Sequence, residues 1–172
     1  MKKLPQSHRH IITCVVDNEF GVLARVIGLF SGRGYNIESL TVAEVSEEQN
    51  LSRITIVTTG NDMVIEQIKA LLERVVPVHK VVDLTVAGPH VERELALLKV
   101  VAEGKDRVEV LKSADEFRAK VVDSTKNSYV FEVTGTPQEI DTLINLLSPL
   151  GLIEVCRTGS TAISRGAVGL LA

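Results

Sequence analysis

A chain of 172 residues, 45% of them hydrophobic, is long enough for one or two small domains with a buried core. The formal net charge is −3 and the 19 basic residues are dispersed, with only short clusters at Lys2-Lys3 and His8-Arg9-His10, which argues against a nucleic-acid partner. Aromatic content of 3% without a single Trp removes a base-stacking platform as well. No run approaches the ~20 apolar residues that span a bilayer, and Met1–His8 has no apolar signal core, so no membrane partner and a soluble, cytoplasmic protein are expected.

Taken in order, residues 10–16 alternate as a strand and residues 22–32 carry Leu23, Val26, Ile27 and Phe30 on one helical face. Gly32-Arg33-Gly34 stops that helix, and Gly28 within it suggests close approach of another element. A second strand runs from Ile37 to Val45, Ser46–Asn50 turns the chain, and a third occupies Leu51–Thr58. Asp62 is the expected N-cap of a second helix with Val64 or Ile65, Ile68, Leu71, Leu72 and Val75 at helical spacing, and Val78–Val86 is the expected fourth strand.

Ala87–Val91 reads as a linker, after which the same plan recurs. A strand at Glu94–Ala102 precedes a helix at Lys105–Phe117 with Val108, Leu111 and Ala114 repeating, then strands at Ala119–Asp123 and Ser128–Thr134. Thr136, Pro137 and Glu139 form a capping-box signature for a helix with Ile140, Leu143, Ile144 and Leu147 inward, and Leu152–Arg157 is the last strand before a Gly-rich tail. The expected fold class is α+β: two ferredoxin-like βαββαβ domains, at 9–86 and 91–172, each with an antiparallel sheet and both helices on one face. Ile11, Thr13 and Val15 are apolar or small on the opposite face from Ile12, Cys14 and Val16, so a second sheet or subunit is expected to cover the face without helices.

The chemistry-bearing residues do not converge as in an enzyme. His8, His10, His79 and His90 lack any metal-binding or catalytic companion motif and read as solvated edge or tail residues, so no catalytic and no metal residue is assigned. Cys14 and Cys156, each in an apolar run, read as reduced core residues. The ligand-like stretch is the helix entrance, Asp17–Val22, where unpaired amides and the positive dipole end suit a carboxylate and Gly21 leaves them open. Asn18 and Asn36 can each donate to a carboxylate and accept from an ammonium, and Val22 and Ile37 can line an apolar pocket. That combination suits an amino acid. The plainer alternative remains open: Asn18 as a turn residue and Asn36 as a left-handed cap.

The run Asp17–Val42 with Leu51–Ile56, Val91–Val100, Arg157-Thr-Gly159 and Ser164-Arg-Gly166 resembles the small regulatory subunit of acetolactate synthase, an ACT-domain family. The resemblance implies no active site and no cofactor on this chain. It implies a large catalytic partner carrying thiamine diphosphate, Mg and FAD, activation of that partner, and feedback inhibition by valine or a related branched-chain amino acid. It also implies a homodimer through the ACT domains. Asn18, Gly21, Val22 and Leu23 would then offer the loop and helix-entry amides, with Asn36 and Ile37 coming from the facing protomer. A freestanding amino-acid sensor and a small enzyme are the competing classes. The first would bind ligand without the synthase, and the second would turn over substrate alone.

Overall fold

The computed structural model describes residues 7–170, so Lys2-Lys3 and the last two residues of the tail lie outside the described part. Its elements follow the order β1 (His8–Asp17), α1 (Val22–Ser31), β2 (Ser39–Ser46), β3 (Leu51–Gly60), α2 (Asp62–Leu72), β4 (Val78–Asp83) and the short α3 (Leu84–Ala87). Then come β5 (His90–Val101), α4 (Gly104–Glu116), β6 (Lys120–Ser124), β7 (Ser128–Gly135), α5 (Pro137–Leu147), β8 (Leu152–Arg157) and β9 (Thr161–Ser164). This is an α+β chain with βαββαβ twice over. Among the described residues, those up to Val91 together with those from Ser160 onward form one compact unit, and Glu92–Gly159 form another.

In the first unit the strand order is β2-β3-β1-β4, and the printed pairings are all antiparallel. Alternation along β1 divides its side chains between two apolar clusters. Ile12, Cys14 and Val16 join Val22, Val26 and Phe30 of α1 and Ile65, Ile68 and Leu72 of α2 in the main core. Ile11 packs on the other side with Val57, Leu84 and Ala162. Part of the face without helices is therefore covered by the chain's own α3 and β9.

The described tail from Ser160 onward, expected with the second domain, belongs to the first unit. Ser160 is buried, its N–H donates to Ser39 Oγ at 2.7 Å, and its carbonyl accepts from Thr41 Oγ1 at 3.2 Å. Arg53 donates through Nη2 to the Ala162 carbonyl at 2.7 Å and through Nε to Thr13 Oγ1 at 3.0 Å. Backbone groups of Ser160 and Ala162 are thus met by side chains of β2 and β3, and β9 itself pairs with β5.

In the second unit the order is β6-β7-β5-β8, with Ala96, Leu98, Val100, Phe131, Ile140, Leu143 and Leu147 at the centre of the core. Its last strand is anchored by Arg157, whose guanidinium forks onto both oxygens of buried Glu94 at 2.8 Å and reaches Asp141 at 2.6 Å. Those carboxylates hold the guanidinium proton above its ordinary range, the Glu94 hydrogen bonds first.

Several local expectations change. Asn61, not Asp62, caps α2: its side chain accepts from the Val64 N–H at 3.0 Å. The fourth strand stops at Asp83, whose carboxylate accepts from the Thr85 N–H and starts α3 instead of letting the strand run to Val86. Helix α4 buries Val110 and Ala114 while Val108 stands 69% exposed, so its inward face is not the one the Val108 spacing predicts. A Cβ on Gly28 would meet nothing within 4 Å, so no element of this chain approaches there. Cys156 is exposed rather than core, and His10 is buried rather than solvated, with Nδ1 donating to Asp83 Oδ2 at 2.7 Å.

Candidate effector site

The loop after β1 is fixed at its base before it becomes open at its tip. Asp17 N–H donates to Pro77 O at 2.8 Å and Asn18 N–H to Asn50 O at 2.7 Å, while the Asn50 side-chain amide returns a bond to Asn18 O at 3.3 Å. Glu19 pairs with Arg25 at 2.8 Å, and Phe20 is fully exposed. Gly21 then takes φ +81° as the N-cap residue, with no side-chain cap and nothing within 4 Å of where a Cβ would stand. A left-handed φ favours glycine strongly, and glycine here leaves the helix-entry amides uncovered.

The first intrahelical bond runs from Arg25 N–H to Gly21 O at 3.0 Å, so the amides before it have no partner from within α1. Val22 N–H reaches back to Glu19 O at a long 3.4 Å. The Val22 side chain points into the core and Leu23 packs against the same cluster, so both contribute backbone here. An open set of N–H groups at a positive helix end can receive a carboxylate.

Asn36 and Ile37 lie at the other end of α1. Tyr35 N–H donates to Phe30 O at 3.0 Å to close the helix, and Asn36 O accepts from Thr58 Oγ1 at 2.6 Å. The Asn36 side chain is exposed, while Ile37 is half-buried against the main core. Helix α1 alone separates the two groups by roughly 15 Å. Their anchors, Asn50 just before β3 and Thr58 within it, stand about 26 Å apart at ~3.3 Å per residue. One chain therefore does not bring Asn18, Gly21, Val22 and Leu23 together with Asn36 and Ile37.

Comparison with known proteins decides the family. Residues 12–80 match the model of the AHAS small subunit-like ACT domain, and residues 93–166 match that of the small subunit of acetolactate synthase. The chain belongs to the acetolactate synthase small-subunit family. It is 49% identical over 161 residues to the acetolactate synthase small subunit of Aquifex aeolicus, covering 93% of this chain and 83% of that one. It is 43% identical to the isozyme 3 small subunit of Salmonella typhimurium, covering 92% and 96% of the two. The crystal structure of the Thermotoga maritima small subunit superposes with a TM-score of 0.84 at 37% identity, over 94% of this chain and 99% of that one. Family membership makes this a regulatory, non-catalytic chain. Among the described residues no group of three or more His, Cys, Asp or Glu could hold a metal, and no helix is long and apolar enough to cross a membrane.

Two contributors escaped sequence reasoning. Asn50 closes the hairpin at φ +51° and accepts from the loop. His79 Nε2 donates to Asp17 Oδ1 at 2.6 Å, across a separation of sixty-two residues that only the β1–β4 register reveals.

Proposed function

We propose that the chain activates the thiamine-diphosphate-dependent catalytic subunit of acetolactate synthase and makes it sensitive to feedback inhibition by valine or a related branched-chain amino acid. The effector lies between two copies of the chain. Asn18 and the amides of Gly21, Val22 and Leu23 come from one copy, with Asn36 and Ile37 from the other. The observation that carries this is the separation of the two residue groups at opposite ends of α1. A two-fold axis beside the β2 edge runs the two copies of α1 antiparallel, and each amide end then faces the partner's Asn36.

The edge itself supports this pairing. β2 is bonded on one side only and exposes Val42 and Val45, while Gly28 leaves room on the outer face of α1. The β2-β3-β1-β4 order of the first unit places β2 at a sheet edge, where the corresponding strand of a second copy can pair. Thiamine diphosphate, Mg and FAD belong to the catalytic partner, and the assembly is placed in the cytoplasm. Valine inhibits by binding the less active arrangement of the complex more tightly than the active one.

The test is acetolactate production by the cognate catalytic subunit titrated with this chain, with and without valine. Activation followed by valine inhibition is expected; failure to form a complex or to activate sinks the proposal. Asn18→Ala and Asn36→Ala should each abolish the valine response as homodimers. A mixed dimer of the two variants should recover it in part, because one of its two sites is then intact. A site built within one chain predicts no recovery.

A further inference from the structure

We propose that His79 is a positioning residue for the effector loop and makes the strength of effector binding depend on pH; this rests on the loop being the effector site. The β1–β4 register passes from Val15 opposite Lys80 to Val16 opposite Val78, leaving His79 as the extra residue of a β-bulge. A bulge re-aims a side chain that a regular pleat would send elsewhere. Here the imidazole reaches Asp17 Oδ1, 2.6 Å from Nε2, at the last residue of β1 before Asn18.

Of the ties at the base of this loop, those from Asp17 N–H and Asn18 N–H are backbone bonds, and the Asn50 amide bond is neutral. His79–Asp17 is the tie whose strength changes with protonation, since an imidazolium attracts the carboxylate as a charge and a neutral ring only as a hydrogen-bond donor. Glu73 at the end of α2 and Lys80 on β4 line the groove that His79 shares with Val78 and Val81. On the loop side, Glu19 is engaged by Arg25. Glu73 and Lys80 oppose each other in sign, leaving Asp17 as the group that His79 touches.

Holding Asp17 fixes where Asn18 and the following amides begin, so a firmer tie lowers the ordering cost of ligand binding. Both side chains are about half exposed, which sets the effect at about two- to fivefold in affinity.

The experiment is calorimetric titration of the full chain with valine, leucine and isoleucine at several values between about pH 6 and pH 8. The wild type should bind its effector more tightly at the acidic end. His79→Gln keeps a donor but no titrating charge, so it should show a flat profile close to the wild-type affinity at the alkaline end. His79→Ala should be weak throughout, and Asp17→Asn should flatten the profile too. A pH-independent wild type, or a His79→Ala variant with unchanged affinity and profile, overturns the role of His79 while leaving the effector site standing. A wild type that binds none of the three amino acids overturns the effector reading and this proposal together.

Discussion

Cys14 and Cys156 sit in similar apolar runs, yet the structure gives them opposite chemistry. Cys14 is on the helix side of β1 between Ile12 and Val16, and burial pushes its thiol up to about 12. Cys156 is exposed on β8, a strand bonded only to β5 within its unit. The thiolate is the reactive species, so a thiol-specific reagent at neutral pH should label Cys156 rapidly and Cys14 only after unfolding. Mass spectrometry of the native protein should show one adduct; a second adduct without denaturant contradicts the packing of β1. The sequence could not separate the two, because alternation says which residues share a face and not whether that face is covered. The same limit applies to the proposed effector residues. The sequence offers Asn18, Gly21 and Asn36 as candidates for a ligand, but their distance apart depends on the length and direction of α1 and on the anchors at Asn50 and Thr58.

At the scale of the element, the most legible feature was α5. Thr136 Oγ1 accepts from the Glu139 N–H at 3.3 Å and Glu139 Oε2 accepts from the Thr136 N–H at 2.7 Å, the reciprocal pair that the Thr-Pro-x-Glu spacing predicts. A Cβ on Gly135 would stand 2.9 Å from Glu139 Oε2, so glycine just before the cap leaves space for that carboxylate. The backbone bond from Thr136 is the first cause holding the Glu139 carboxyl below its ordinary range. A folded-state value below the unfolded one means the contribution is fully present above the unfolded pKa and is lost as pH falls through the folded one. Glu139→Gln should therefore lie below the wild type in chemical denaturation at neutral pH and converge with it in acid. A gap that persists unchanged at low pH contradicts this assignment.

Weaker patterns gave weaker guidance. Helix α4 has few apolar residues, and the spacing of Val108, Leu111 and Ala114 is as helical as that of Val110 and Ala114; packing against Phe131 and Leu143 in the same core selects the second set. Asn61 displaced Asp62 as a cap because capping is decided by where the helix geometry begins, and adjacent Asn and Asp are nearly equal candidates.

For the whole molecule, the sequence plan of two successive βαββαβ repeats was readable, but the return of the chain to its first unit was not. Thr161–Ser164 is too short and too polar to announce a strand, and the side chains that hold Ser160 and Ala162, those of Ser39, Thr41 and Arg53, lie more than a hundred residues earlier. Ala162 is 4% exposed beside Ile11, Val57 and Leu84, while its neighbour Ile163 is 58% exposed. Ala162→Asp places an unpaired carboxylate against those side chains and should cost about 3 kcal/mol, with Ile163→Asp within about 0.5 kcal/mol of the wild type. Denaturant titration of both variants checks the pair; equal losses, or none, mean that β9 does not hold its place in solution.

The return of β9 also has a consequence for how the protein comes off the ribosome. The first unit is discontinuous along the chain, so its β1–β4 sheet can form early while Ile11, Val57 and Leu84 lack the cover of Ala162 until all of Glu92–Gly159 has been made. During that interval the nascent chain carries an apolar patch that the finished protein conceals, and any pause in translating the second unit lengthens the time for which chaperones or neighbouring nascent copies can reach it.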